Sequence, residues 1–395
     1  MLNFIFIDLL THRTKLIKAS IVIAFFCGML LSPHLWINSG RLFSMMSPIE
    51  GMPILAAPFD KILLFIFVGS SLAWIVIEKK GIGFISLGSL LLLVVQDQMR
   101  WQPWVYLYLL MLVPFLYYAE KKENEEALVL CLQFILVGVY VWSGIQKINL
   151  HFVDGVLAQF IKLSGIHLSF EGWKKIFYLT PFVIPCVEIV LGLALLVPKV
   201  RKIAVCVAIV VHLLILLYLS PMGIDHNSVV YPWNIAMVFF VVFLFWNNNN
   251  EMLSSLNNVR RYTLMVFVLA LAWIAPALNL FGYWDHYLSF SLYSYKPSRY
   301  YIAIDESEVS KIDKRYLNYT AKIKGMQGGV LIDTDKWAYA ELNVPFYPET
   351  RVFKKLSRNF CALGIAEDKL IFLELSNATR KPHYKTFTCN AFNVH

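Results

Sequence analysis

The chain has 395 residues, of which 58% are hydrophobic, 15% aromatic and only 15% charged, with a formal net charge of +9 and a mean hydropathy of +0.60. No soluble domain buries that much apolar surface, so the composition excludes a cytosolic globular protein. It also turns the basic excess away from nucleic acid and toward loops that flank membrane spans, with membrane lipid as the first expected partner.

Residues 1–15, with Leu2, Phe4, Ile5, Phe6, Leu9 and Leu10, read as a short amphipathic anchor along the inner leaflet. The first long apolar run follows a basic segment and has no small-residue cleavage site before Pro33, so the first span is expected to be retained. Apolar runs near 16–37, 60–78, 81–97, 102–119, 126–148, 176–198, 202–220, 230–247 and 262–283 predict an all-α polytopic membrane bundle of about nine transmembrane helices. Basic residues gather in alternate loops: Arg13, Lys15 and Lys18; Lys79 and Lys80; Lys121 and Lys122; Lys199, Arg201 and Lys202; Arg260 and Arg261. The positive-inside rule then puts the N-terminus in the cytoplasm and the C-terminus outside a cell (inner) membrane.

At the outer end of the third span, Gln96-Asp-Gln-Met-Arg-Trp101 offers Asp97 and Arg100 at i, i+3, the spacing of a rim salt bridge. The fifth span ends in Tyr140-Val-Trp-Ser-Gly-Ile-Gln-Lys-Ile-Asn-Leu-His-Phe152. Here Ser143 and Lys147 share a helix face, Gly144 admits a close neighbour, and Trp142, Gln146 and Asn149 add polar atoms. A lysine at that boundary either snorkels to the headgroups or serves a site. Residues 150–164, with Asp154 and Gln159, are too short to cross and read as an interfacial or re-entrant helix roofing a cavity.

Glu188 and His212 fall near the middle of the sixth and seventh spans, at similar depth. Consecutive spans are often neighbours, so the two are expected to hydrogen-bond, as a structural pair or as a proton relay. Asp225 and His226 follow the seventh span. The outer ends of spans three, five and seven thus gather Asp97, Arg100, Gln146, Lys147, Asn149, Asp225 and His226 into one vestibule. In it, a desolvated lysine is a general base and an arginine binds an anion or carbonyl oxygen.

From residue 284 the composition changes to a small extracytoplasmic α/β domain, 284–395. Tyr300–Ile304 and Leu370–Leu375 read as strands. Pro348 and Glu349 start a helix whose stripe is Val352, Phe353, Leu356 and Phe360. Of six cysteines, Cys27, Cys131, Cys186 and Cys206 read as packing residues within spans. Cys361 and Cys389 share the external domain and are expected to form a disulfide, with two free buried thiols as the alternative. The sequence carries no nucleotide loop, no Ser-His-Asp order and no metal or haem spacing, so no cofactor is evident. Any organic chemistry here would need a lipid-soluble partner or cofactor.

The run Tyr140–Phe152 resembles the Tyr-Phe-x-Ala-Gly-x-x-Lys-Leu-Asp/Asn-x-x-Trp segment of the vitamin K-dependent gamma-carboxylase and HTTM (horizontally transferred transmembrane) superfamily. DoxX and MauE-type membrane proteins carry a looser version. The similarity continues through Pro185-Cys-Val-Glu-Ile-Val-Leu-Gly192, Lys199-Val-Arg-Lys202 and Val211-His-Leu213, covering about residues 60–245. It implies a nine-span bundle with an external C-terminal domain, Lys147 in the place of the carboxylase's base, and His212 as a seventh-span histidine. At the third-span end the family carries an Asn-His pair where this chain has Met99-Arg100. The segment Trp337–Arg351 is similar to tails of bacterial members of unassigned function and not to the carboxylase's peptide-binding domain. Both departures argue against gamma-carboxylation of protein glutamates.

Two readings follow. One is a membrane enzyme or redox component with Lys147, Arg100 and His212 as catalytic candidates, and Asp97, Trp142, Ser143, Gln146, Asn149 and Glu188 around a quinone-like or lipidic substrate. The other is a non-catalytic membrane module whose external domain docks an extracytoplasmic protein partner or supports an assembly. The first expects Lys147 and Arg100 to converge at the wall of a deep apolar pocket; the second expects Lys147 in solvent or paired on the rim. A transporter has less support, because no inverted repeat is evident.

Overall fold

The computed structural model describes residues 13–118, 125–155, 171–223, 227–248, 250–291, 293–321, 328–376 and 383–392, with only the backbone of 118, 171–180 and 392. The expected N-terminal anchor, most of the 150–164 helix, and Asp225 and His226 lie outside the described residues. All nine apolar runs carry helix. We label the main helices α1 (Arg13–Leu31), α2 (Phe59–Val76), α3 (Lys80–Gln96), α4 (Pro103–Leu112), α5 (Glu125–Lys147), α6 (Glu171–Leu196), α7 (Pro198–Leu219), α8 (Val230–Phe245) and α9 (Thr263–Trp273).

Among the described residues, five helices are long and apolar enough to cross a membrane: Arg13–Leu31, Phe59–Val76, Glu125–Lys147, Pro198–Leu219 and Thr263–Phe281. The structure thus supports a helical bundle with five such spans, and the expected nine crossings are not all of that length. Lys80–Gln96, Pro103–Tyr117, Pro181–Leu196 and Val230–Phe245 are apolar but shorter. Proline accounts for much of the interruption. The fourth run breaks at Val113-Pro114, and Pro181 and Pro185 sit inside α6, where each removes a main-chain donor.

α5 is the central helix. Of its apolar window 89% is buried, against 28% for α2 and for α7. Small residues let neighbours approach it. A Cβ on Gly144 would lie 2.7 Å from the Pro185 carbonyl oxygen, and one on Gly192 of α6 would lie 3.0 Å from Tyr140 Cβ. On its other sides Gln133 Nε2 donates to Leu244 O at 2.6 Å and Trp273 Nε1 donates to Phe134 O at 2.9 Å, stitching α8 and α9 to the core helix. The outward faces of the surrounding helices are apolar, with Leu30, Phe65, Val76, Ile203, Leu214 and Phe267 exposed. Cys131 is buried as expected, but Cys27, Cys186 and Cys206 are exposed on helix faces and do not pack in the core.

The C-terminal unit is an antiparallel sheet of strand order β2-β1-β3-β4, from β1 (Arg299–Ile304), β2 (Val330–Asp333), β3 (Leu370–Ser376) and β4 (His383–Phe387). Ile302 pairs with Ile332 on one side and Phe372 on the other. Helices α10 (Thr334–Leu342) and α11 (Thr350–Cys361) supply the remaining core through Trp337, Phe353, Leu356 and Phe360. The α11 stripe and the strands β1 and β3 match expectation. α10 was not expected; its signal is Asp333, whose carboxylate accepts from Asp335 N and Lys336 N as an N-cap.

Cys361 at the end of α11 is bonded to Cys389, just past β4. With a sequence separation of 28, the bridge is expected to contribute about 3 kcal/mol by restricting the unfolded chain. Unfolding of the C-terminal unit, followed with and without reductant, measures it; an unchanged transition would refute a stabilising role.

This unit is not an independent bead, because the segment Trp337–Arg351 docks it onto the helical part. Glu341 accepts the main-chain N–H groups of Leu42 and Phe43. Asn343, at φ 54°, donates to Leu31 O and Ser228 Oγ. Gln102 reaches Pro345 O, and Arg351 grips Asp285 through both terminal nitrogens at 2.8 and 2.5 Å. One face of the sheet, with Ile302, Ile332 and Phe372, shares a continuous buried apolar cluster with the bundle, while Tyr301, Ala303 and Leu331 form a separate small cluster on the other face.

Beneath this dock, the half-buried Asp335 accepts the Phe346 N–H at 3.0 Å. Burial, then the charge of Asp333, pushes its carboxyl up to about 6. The folded state therefore binds more protons than the unfolded chain between pH ~4 and ~6, so stability is lost as pH rises through that window. Asp335→Asn, which keeps an oxygen for Phe346, should flatten that slope and raise stability at pH 7 by about 1 to 2 kcal/mol. Parallel pH profiles of the two proteins would contradict this.

Candidate functional site

The residues of Tyr140–Phe152 diverge from the end of α5 toward two neighbours. Helical side chains lean toward the N-terminus, so Lys147 reaches back over its own last turn. Its Nζ donates to Ser143 Oγ at 2.6 Å and to both carboxylate oxygens of Glu188 at 2.7 Å. An ammonium has three N–H groups, and all three are engaged. The pair is mostly buried, with side-chain exposures of 12% and 9%.

His212 lies one step deeper. Tyr140, on the Ser143 and Lys147 face of α5, meets His212 Nε2 of α7 at 2.7 Å, and His212 Nδ1 meets Asn234 Oδ1 of α8 at 2.9 Å. The proton positions follow from the far end. Asn234 Nδ2 donates to Val230 O at 2.8 Å, which leaves its oxygen for the histidine. An amide oxygen only accepts, so Nδ1 carries hydrogen, and in the neutral ring Nε2 accepts from the tyrosine hydroxyl. The result is a directional polar chain through three helices in an apolar body.

The expected Glu188–His212 hydrogen bond is therefore not made. Depth was counted from a sixth span starting near 176, whereas α6 begins at Glu171, and Gly144 packs against Pro185 and Ile189. This register sets Glu188 beside the last turn of α5, where an ammonium compensates a carboxylate better than an imidazole does.

Gln146 and Asn149 turn the other way, to the linker before β1. Asn149 Nδ2 donates to Ser294 O at 2.9 Å, and its Oδ1 accepts from Phe152 N at 2.9 Å, capping the helical residues 150–155. Gln146 Oε1 accepts from Lys296 Nζ at 3.0 Å. Trp142 is buried beside them, and its Nε1 has no acceptor among the described residues.

Asp97 and Arg100 do not form the expected rim pair, and Arg100 does not converge with Lys147. Asp97 is fully buried and paired with Arg41 at 2.6 Å. Arg100 sits over the Trp36 ring, 5.6 Å from its centroid, and donates to Leu35 O, Leu93 O and Trp36 O at 2.8, 2.7 and 3.1 Å. These carbonyls end two helices, so the guanidinium caps both and complements their negative ends. Burial, opposed by Asp97, pulls it down to about 10, which leaves it charged at neutral pH. A second buried arginine does the same elsewhere. Arg201 donates to Leu195 O, Leu196 O, Asn248 O and Asn250 O, closing the end of α6.

Sequence reasoning missed Tyr140 as a site residue, together with Asn234, Lys296 and Arg41. Asn234 was findable as an amide inside the apolar run 230–247. Arg41 and Lys296 lie in segments where basic residues are ordinary. Among the described residues no three His, Cys, Asp or Glu side chains are grouped to hold a metal ion. No family model, no curated protein and no solved structure matches this chain.

Proposed function

We propose that this integral membrane protein handles protons for a lipid-soluble, quinone-like or lipidic substrate at the Lys147 end of α5, and that the Lys147–Glu188 pair is the closed form of that site. The observation that carries this reading is the polar set itself. Lys147, Glu188, Tyr140, His212 and Asn234 lie within apolar helices, where ionisable and strongly polar groups are costly to keep without a task. A lysine whose three N–H groups are engaged is not a base. A ligand that draws Glu188 away frees the two N–H groups it holds, to donate to ligand oxygens or to let Nζ lose a proton. Ser143 holds the amine in place during that exchange, and below it His212 Nε2 can take the Tyr140 hydroxyl proton while Asn234 holds the ring through Nδ1–H. Arg100 has no part in this mechanism.

The topology belongs to the same proposal: N-terminus cytoplasmic, C-terminal unit extracytoplasmic, in a cell (inner) membrane. So does distant membership of the HTTM and gamma-carboxylase superfamily, which rests on the Tyr140–Phe152 run. Mass spectrometry of lipids extracted from protein purified out of its native membrane tests the function. The reading expects a quinone-like molecule near one per protein, depleted in Glu188→Gln.

A second reading has its own support. Full engagement of Lys147 is what a rim clamp would show, and it suits a non-catalytic module whose C-terminal unit docks a protein partner. A stoichiometric protein with no lipid-soluble molecule would favour it.

A further inference from the structure

Lys296 lies near the same end of α5 as Lys147, and among the described residues no carboxylate neutralises it. Its Nζ donates to Gln146 Oε1 at 3.0 Å and to Asn279 Oδ1 at 3.3 Å, both neutral amide oxygens. No carboxylate lies within ion-pair distance of it among the described residues. Burial pulls its ammonium below the usual lysine range, and no neighbouring charge opposes that effect. A partly buried cation held by two amides is an incomplete site, because among the described residues one N–H and the positive charge have no partner.

Gln146 gives the independent observation. Its side chain is 1% exposed, and its Nε2 has no acceptor among the described residues. A lysine nitrogen only donates, so Oε1 must face Lys296 and the amide cannot be turned to satisfy Nε2 instead. A buried amide donor left open is expensive, by about 1 to 3 kcal/mol. Trp142 Nε1, one turn deeper on the same face of α5, is a second buried donor without an acceptor. Three donors at successive depths therefore await acceptors, and one of them is cationic.

The backbone that carries Lys296 is also unusual. Phe290, Tyr293 and Tyr295 all have left-handed φ, at 57°, 57° and 55°. Aromatic residues rarely adopt that conformation, which costs of order 1 to 2 kcal/mol each. Neighbouring contacts hold the linker in it. Ser294 O accepts from Asn149, and the Tyr295 ring lies against Gly155, where a Cβ would come within 2.5 Å. Phe281 and Tyr283, just past Asn279 in the segment that follows α9, are exposed, as aromatic residues are at a membrane–water boundary.

We infer that Lys296 and Gln146 form a phosphate-binding site that takes the headgroup of an anionic phospholipid, with Trp142 donating to an ester oxygen below it. The shared chemistry is a phosphate oxygen accepting from an ammonium and an amide. The depth of Trp142 favours the lipid over free phosphate. This site is distinct from the Lys147–Glu188 pair and does not depend on its function.

The full-length protein in phosphatidylcholine nanodiscs, with and without phosphatidylglycerol, tests the inference by native mass spectrometry and a competition titration with inorganic phosphate. The expected result is one retained phosphatidylglycerol, weakened about tenfold in Lys296→Gln and in Gln146→Glu, and changed less than about threefold in Lys296→Arg. Gln146→Glu keeps the side-chain shape and places a carboxylate against Lys296, so it serves if Lys296→Gln does not fold. Lys147→Met should leave this binding unchanged, which separates the two sites. Inorganic phosphate binding with the same Lys296 dependence, and no retained lipid, would keep the phosphate site and overturn the lipid as its source. Retention of neither probe, or retention indifferent to Lys296→Gln and Gln146→Glu, overturns the inference.

Discussion

Lys147→Met and Glu188→Leu, made singly, are each expected to lower the unfolding free energy by about 3 kcal/mol, and the double variant to recover most of that loss. Each single change leaves a buried charge without its partner, and Ser143 alone cannot compensate the ammonium. The double change removes both charges and puts apolar side chains at an interface already lined by Ile189 and Gly144. Unfolding of the detergent-solubilised protein, followed by tryptophan fluorescence, gives the four corners of the cycle. Strictly additive losses would mean that the two side chains do not act as a pair. The distinction bears on function, because a pair that apolar residues can replace without loss of stability is not kept for stability.

Arg100→Leu is expected to cost still more, about 4 kcal/mol, since three buried carbonyl oxygens lose a charged donor at once. The damage should concentrate where Leu35, Trp36 and Leu93 end their helices. Arg100→Lys should recover only part of it, because an ammonium cannot span three carbonyls held by a planar fork. Protease sensitivity of the 33–58 segment reports the local effect and the unfolding midpoint the global one. Stability unchanged in Arg100→Leu would return Arg100 to the list of residues free for a ligand.

What the sequence made legible followed from periodicity and length. Apolar runs located the nine main helices among the described residues because apolar helices carry their signal in each residue, whereas the short helix Leu256–Arg260 falls in none of them. The Val352, Phe353, Leu356 and Phe360 stripe located α11, and Tyr300–Ile304 and Leu370–Leu375 located the two central strands. Partner choice was less legible. Asp97 pairs with Arg41, 56 residues away, and the adjacent Arg100 was the wrong choice because its three-carbonyl site has no local sequence signature. Glu188 was misjudged by its assumed depth, and only the offset between α5 and α6 shows that it meets Lys147. The motif around Lys147 drew attention to the last turn of α5, where Lys147 meets Ser143 and Glu188. It did not show that Gln146 and Asn149 face the linker while Ser143 and Lys147 face α6, because a helix end presents several faces within four residues.

The central claim is that the Lys147–Glu188 pair exists to serve a lipid-soluble substrate. Its most direct test is the complement of quinone-like and lipidic molecules retained by the Lys147→Met, Glu188→Leu double variant, measured by mass spectrometry against the unaltered protein from the same membrane. A stable double variant that has lost such a molecule is the predicted result; one that retains it at the same occupancy would contradict the claim and leave the pair as a clamp between two helices.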